Sequence, residues 1–140
     1  GEYAWATRFA QFGFEWWPTP DWTLAGEHMI GHTGMGLPTT ARVDARFVTQ
    51  YLLLSRTIAT DWRISGRLER FRITDQDGVA EDNADAGDGA TITVSWQPAE
   101  AWRLGFEVQV LDTDHAASTL LGLPTDTGGT SVRAELRYAF

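Results

Sequence analysis

Apolar and polar side chains alternate with a period of two through most of the chain. In the last eleven residues, TSVRAELRYAF, Val132, Ala134, Leu136, Tyr138 and Phe140 share one side. Ser131, Arg133, Glu135, Arg137 and Ala139 share the other. Successive side chains of an extended strand point to opposite faces, whereas a helix repeats its face every 3.6 residues, so this pattern selects strands. The same alternation runs through WRLGFEVQV, ATITVSW, WRISGRLE and ARVDARFVTQY. In the last of these, Val43, Ala45, Phe47, Thr49 and Tyr51 are expected on the apolar face, opposite Arg42, Asp44, Arg46, Val48 and Gln50. Residues 22–30 and 3–17 complete a set of seven strands, the 3–17 strand with an ambiguous register before Arg8 that suggests a bulge.

The links between these strands are of two kinds. WPTPDW, RTIATDW and QPAEAW are short and turn-rich, and each leads into a related strand opening: DWTL, DWRI or AWRL. The links near 31–41, 75–89 and 112–129 are longer and rich in Gly, Asp and Thr, and two of them share Gly-Leu-Pro-Thr. The fold expected is all-β: an antiparallel up-and-down arrangement in a single domain over residues 1–140.

Composition removes several functions. The 140 residues carry a net charge of −8, which argues against a nucleic-acid partner, since phosphate binding needs a basic face. All 11 basic residues are Arg, and Cys is absent, so there is no disulfide, thiolate metal site or Cys nucleophile. The longest aliphatic run is Leu52 to Leu54, far short of the ~20 residues of a spanning helix. That criterion does not reach β-barrels, whose spanning strands are apolar only at alternate positions.

Alternation alone fits a soluble sandwich as well as a membrane barrel. Three features favour the barrel. Trp16, Trp17, Trp22, Trp62, Trp96 and Trp102 flank the short turns, where an aromatic belt at a membrane interface would lie; Tyr138 joins them. Short turns at one end and long polar loops at the other match the two ends of an outer-membrane barrel. The polar face is charged along its length, with Arg42, Asp44, Arg46, Arg63, Arg67, Glu69, Arg103, Glu107, Arg133, Glu135 and Arg137 as candidate pore-lining residues.

The terminal VRAELRYAF resembles the C-terminal assembly signal of Gram-negative outer-membrane β-barrel proteins, carried here by Val132, Ala134, Leu136, Tyr138 and Phe140. With its hairpins and turns, the chain resembles the C-terminal portion of a general or phosphate-selective-type porin. The resemblance implies a transmembrane β-barrel of the bacterial outer membrane that passes small hydrophilic solutes or ions by passive diffusion. It also implies contact with outer-membrane lipid and lipopolysaccharide, engagement of the barrel assembly machinery, and compatibility with homo-oligomers. Such barrels have an even number of strands with both ends periplasmic, so seven strands are expected to be a fragment, with at least one strand before Gly1.

Other chemistry finds weaker footing. The acidic run DQDGVAEDNADAGDG departs from the calcium-loop spacing and reads as a solvated loop. His28 and His32, near Met29 and Met35, lack a third donor at metal-ligand spacing. No Ser has a His in a nucleophile-like arrangement, so no catalytic residue, metal or cofactor is assigned and no enzyme is expected. The contrasting readings are a soluble lipocalin- or carbohydrate-binding-type β protein with sugar-stacking Trp, or a small plugged structural or adhesion barrel. On the candidate inward face, seven Arg against six acids predict an Arg-rich wall with weak anion preference.

Deleting Phe140 should lower the fraction of protein recovered in the outer membrane, measured by membrane fractionation of expressing cells. Unchanged recovery would count against the terminal strand as an assembly signal.

Overall fold

A computed structural model describes residues 4–37, 41–77 and 82–139. The alternating segments become β1 (Ala4–Thr19), β2 (Trp22–Leu37), β3 (Ala41–Ile58), β4 (Trp62–Asp75), β5 (Asp85–Ala99), β6 (Trp102–His115) and β7 (Asp126–Tyr138). They pair in chain order as one antiparallel up-and-down sheet. β1 and β7 are its two edges and do not pair with each other, so the seven strands form an open sheet and not a closed barrel.

The strands run further than the alternation indicates. β2 continues to Leu37, β5 begins at Asp85, and β6 continues to His115, where a 3-10 helix, Ala116–Leu121, leads towards β7. The supposed long links are therefore partly ladder. Backbone N–H and C=O groups pair without regard to side-chain polarity, so Gly- and Asp-rich segments still zip: Asp88 stands opposite both Arg70 and Asp112.

The short turns repeat every forty residues. Asp21, Asp61 and Ala101 each precede the Trp that opens an ascending strand. Their carbonyls accept hydrogen bonds from Thr57, Gln97 and Ala139 N–H at 2.8, 2.8 and 3.0 Å, tying each turn to the strand beyond its own hairpin. Ala59 turns the β3–β4 hairpin with a φ of 50°, a left-handed conformation unusual outside glycine. Register shifts next to the β1–β2 and β5–β6 turns leave Trp17 outside the ladder.

The register also staggers the hairpins. The row through Trp22 crosses β3 at Arg56 and β4 at Ile64, two residues past Trp62. The row through Trp62 crosses β5 at Trp96 and β6 at Leu104, two residues past Trp102. Two residues of ~3.3 Å over two strand spacings of ~4.8 Å tilt the strands by about 35° from the normal to the line of turns.

Among the described residues no apolar side chain is buried, and the only buried polar ones are Ser55 and Thr91. Packing is instead cross-strand. Phe14, Phe47 and Phe71 face Gly26, Gly31 and Gly87 directly, and each ring fills the space a Cβ would need. Such rings shield the bare strand backbone at glycine.

Gly87→Val should therefore destabilise the sheet by about 1–3 kcal/mol, because a Cβ would lie 2.5 Å from the Phe71 ring and 2.9 Å from the Asp112 carbonyl oxygen. Gly66→Val, with nothing within 4 Å, should be neutral or stabilising. Urea titration of folded protein in detergent, followed by Trp fluorescence, checks the contrast.

Candidate functional site

Every paired position within the main ladders couples residues of the same parity, so even-numbered residues share one face across all seven strands and odd-numbered residues the other. On the even face, apolar side chains line up in unbroken rows. One row runs Trp16, Leu24, Leu54, Gly66, Ile92, Val108 and Val132. These groups are bare: Leu68 is 64% exposed and Ile92 60%.

The aromatic residues expected to form a belt lie on this face at the turn-side rim, apart from Trp17 in its bulge. Trp62 stacks on Trp96 with ring centroids 5.5 Å apart, and Trp102 meets Tyr138 at 4.7 Å. The Arg56 guanidinium lies 5.1 Å from the Trp22 ring centroid. Trp96 Nε1 donates to Asp61 at 3.1 Å, so its apolar body faces the rows while its polar tip reaches the turn. Val132, Ala134, Leu136 and Tyr138 also take the even face, while Phe140 lies outside the described residues.

The odd face carries eight of the eleven candidate pore-lining residues: Arg63, Arg67, Glu69, Arg103, Glu107, Arg133, Glu135 and Arg137. Arg67 pairs with Glu69 at 3.0 Å, and Gln109 donates to the same carboxylate at 3.1 Å. That second contact spans β5, and Gly89 permits it: a Cβ there would lie 2.7 Å from Glu69 Cγ. Glu107 accepts from Thr93 at 3.2 Å and faces Arg133 at 3.6 Å, while Arg137 contacts Glu135. Ser55 and Ser65 hydroxyls meet at 2.9 Å, and Gln11 donates to Glu27 at 2.7 Å.

The remaining three do not share that face. Asp44 and Arg46 lie on the even face, as does the register position of Arg42, whose side chain is outside the described ones. The cause is an exchange of character halfway up the sheet. Above the row Phe12, His28, Gln50, Arg70, Asp88 and Asp112, the even face becomes charged. There the odd face becomes apolar, with Phe9, Met29, Phe47, Phe71 and Ile73. The alternation of residues 43–51 reports this upper tier, whereas Leu52, Leu54 and Ile58 report the lower one. The signal that could have separated them is the Leu52–Leu54 run, where the phase reverses.

The corrected odd face holds five Arg (63, 67, 103, 133, 137) against five Glu (15, 27, 69, 107, 135), with Asp75 and Asp85 towards the loops. Below the loop end its charge is balanced, in place of the expected Arg excess. At the loop end, Asp75 accepts from the Asp77 N–H at 3.0 Å and the Asn83 N–H at 2.8 Å, and closes its own turn. His115 contacts Asp85 across β5 and β6. Among the described residues, no group of three or more His, Cys, Asp or Glu is arranged to hold a metal ion.

No protein-family profile, curated protein or solved structure matches the chain.

The odd-face ion pairs each keep an open member, with Arg133 75% exposed against 32% for Glu107, so they contribute little to stability. Glu107→Gln should cost less than about 1 kcal/mol in urea titration of the folded protein. A loss above about 2 kcal/mol would make this lattice a structural device instead of a solvated wall.

Proposed function

We propose that this chain forms part of the wall of an outer-membrane β-barrel, with its odd face lining a water-filled passage for small hydrophilic solutes or ions. The observation that carries the reading is a continuous, uncovered apolar face on a sheet without a core. Burying an apolar face is the main drive for folding, and ~25 cal/mol is gained per Å² removed from water. A seven-stranded sheet with this face bare needs an apolar environment, and lipid supplies one without a second protein layer.

The dimensions support this. From Trp102 to Val110 the even positions of β6 are apolar for nine residues, the length of a tilted membrane-spanning strand. The tilt of about 35° implied by the stagger falls within the range of such barrels. Trp and Tyr mark one rim, as amphipathic rings do at a membrane interface. On the opposite face the exposed Arg and Glu suit contact with water, and in a confined lumen they would set ion preference at short range. With five of each sign, that preference is weak.

Reconstitution into planar bilayers tests the passage, and discrete conductance steps under applied voltage are the expected result. In the same membranes Val94→Arg should lower folding stability by roughly 2–4 kcal/mol, as charge on the lipid side does near the midplane. Thr93→Arg, on the lumen side, should be tolerated. Equal damage from both would overturn the assignment of faces.

A further inference from the structure

We propose that Arg8, His32, Arg46 and Arg72 form a binding site for the phosphate of an anionic lipid headgroup, on the outer face just above the apolar rows. The inference rests on the membrane reading, because it needs the even face to meet lipid.

Position is the first observation. His32, Arg72 and Asp112 each stand ten residues beyond the Trp that opens their strand, Trp22, Trp62 or Trp102. Ten residues cover ~33 Å along a strand, or ~27 Å of height at the observed tilt. An outer-membrane barrel presents an apolar band of ~25 Å, so these residues form a ring at its upper edge. A lipid whose chains cover Leu52 and Leu68 places its headgroup at this level.

Charge is the second. Arg8, His32 and Arg46 are direct neighbours in one row across β1, β2 and β3. Arg46 stands opposite Thr74, which makes Arg72 its diagonal neighbour on β4. Arg8 and Arg46 flank His32 on its two sides, and an anion held between the two guanidinium groups offsets their mutual repulsion. Asp44 engages His32, and Asp88 forms a two-pronged pair with Arg70 at 2.5 and 3.2 Å. Arg8, Arg46 and Arg72 have no ion pair among the described residues. Guanidinium groups match phosphate oxygens with paired, charge-assisted hydrogen bonds. Around β5 to β7 the same ring turns acidic, with Asp88, Asp112 and Asp126, which confines the anion to β1–β4.

The test uses the full chain inserted into phosphatidylcholine vesicles doped with diphosphoryl lipid A, then extracted in mild detergent for native mass spectrometry. Wild-type protein should retain lipid A, and Arg46→Gln should weaken retention about fivefold. The triple variant R8Q/R46Q/R72Q should weaken it about a hundredfold. Arg56→Gln, on the same face at the opposite rim, should leave it unchanged. Retention that survives both Arg46→Gln and the triple variant would overturn the site, as would displacement of lipid A by equimolar inorganic phosphate, which would mark a free-anion site. Insertion without any lipid A retention would overturn the site alone. Failure to insert into phosphatidylcholine vesicles would overturn the membrane reading and the site together.

Discussion

Nearly everything in this molecule depends on the hydrogen-bonded ladder keeping one phase across seven strands. Each pairing couples residues of equal parity, and the irregularities are confined to two short turns. A slip of one residue between any two strands would carry every later side chain to the opposite face. Because no slip occurs, the Trp, the aliphatic rows and the charged ring each form continuous bands and not scattered groups. The turn carbonyls of Asp21, Asp61 and Ala101 reinforce the phase by fastening each hairpin to the next strand.

That phase makes the sheet two-sided in an unusual way. In a soluble sheet protein the apolar side would close on a second layer. Here it stays open, and among the described residues the only buried polar ones, Ser55 and Thr91, lie on the other face. Stability must come from backbone pairing, from cross-strand contacts such as Trp62 with Trp96, and from whatever medium covers the apolar rows. The two edge strands reinforce the point, since β1 and β7 each leave one row of backbone groups without a neighbouring strand. In hydrocarbon such groups must be paired, and for this reason closed barrels span membranes while open sheets do not.

The stagger of two residues per hairpin supplies a common frame for the two rims. Measured along each ascending strand from its opening Trp, His32, Arg72 and Asp112 fall at one height despite lying on three strands. The aromatic rim and the charged rim are therefore parallel, separated by a band close to the thickness of a bilayer's apolar core. The exchange of face character above that band belongs to the same geometry. Above the apolar rows the even face becomes charged, while Phe47 and Phe71 on the odd face lie over Gly31 and Gly87.

The strand count, the antiparallel order and the turn ends were legible in the amino-acid sequence because period-two alternation and Pro- or Asp-bearing links are local signals. The shared face of Arg63, Arg67, Glu69, Arg103, Glu107, Arg133, Glu135 and Arg137 was legible too, since those strands keep a single phase through the apolar band. Local pattern failed on β3, which crosses both tiers: its upper half alternates in one phase and its lower half in the other, and only pairing with β2 and β4 decides which face meets the apolar rows. That decision moved Arg42, Asp44 and Arg46 off the candidate wall and left its charge balanced. The reach of the strands through Gly- and Asp-rich segments also waited on the tertiary structure, because backbone pairing is set by neighbouring strands and leaves no periodic mark in side chains. Alternation determines that a segment has two faces; only the register between strands determines which of them is shared.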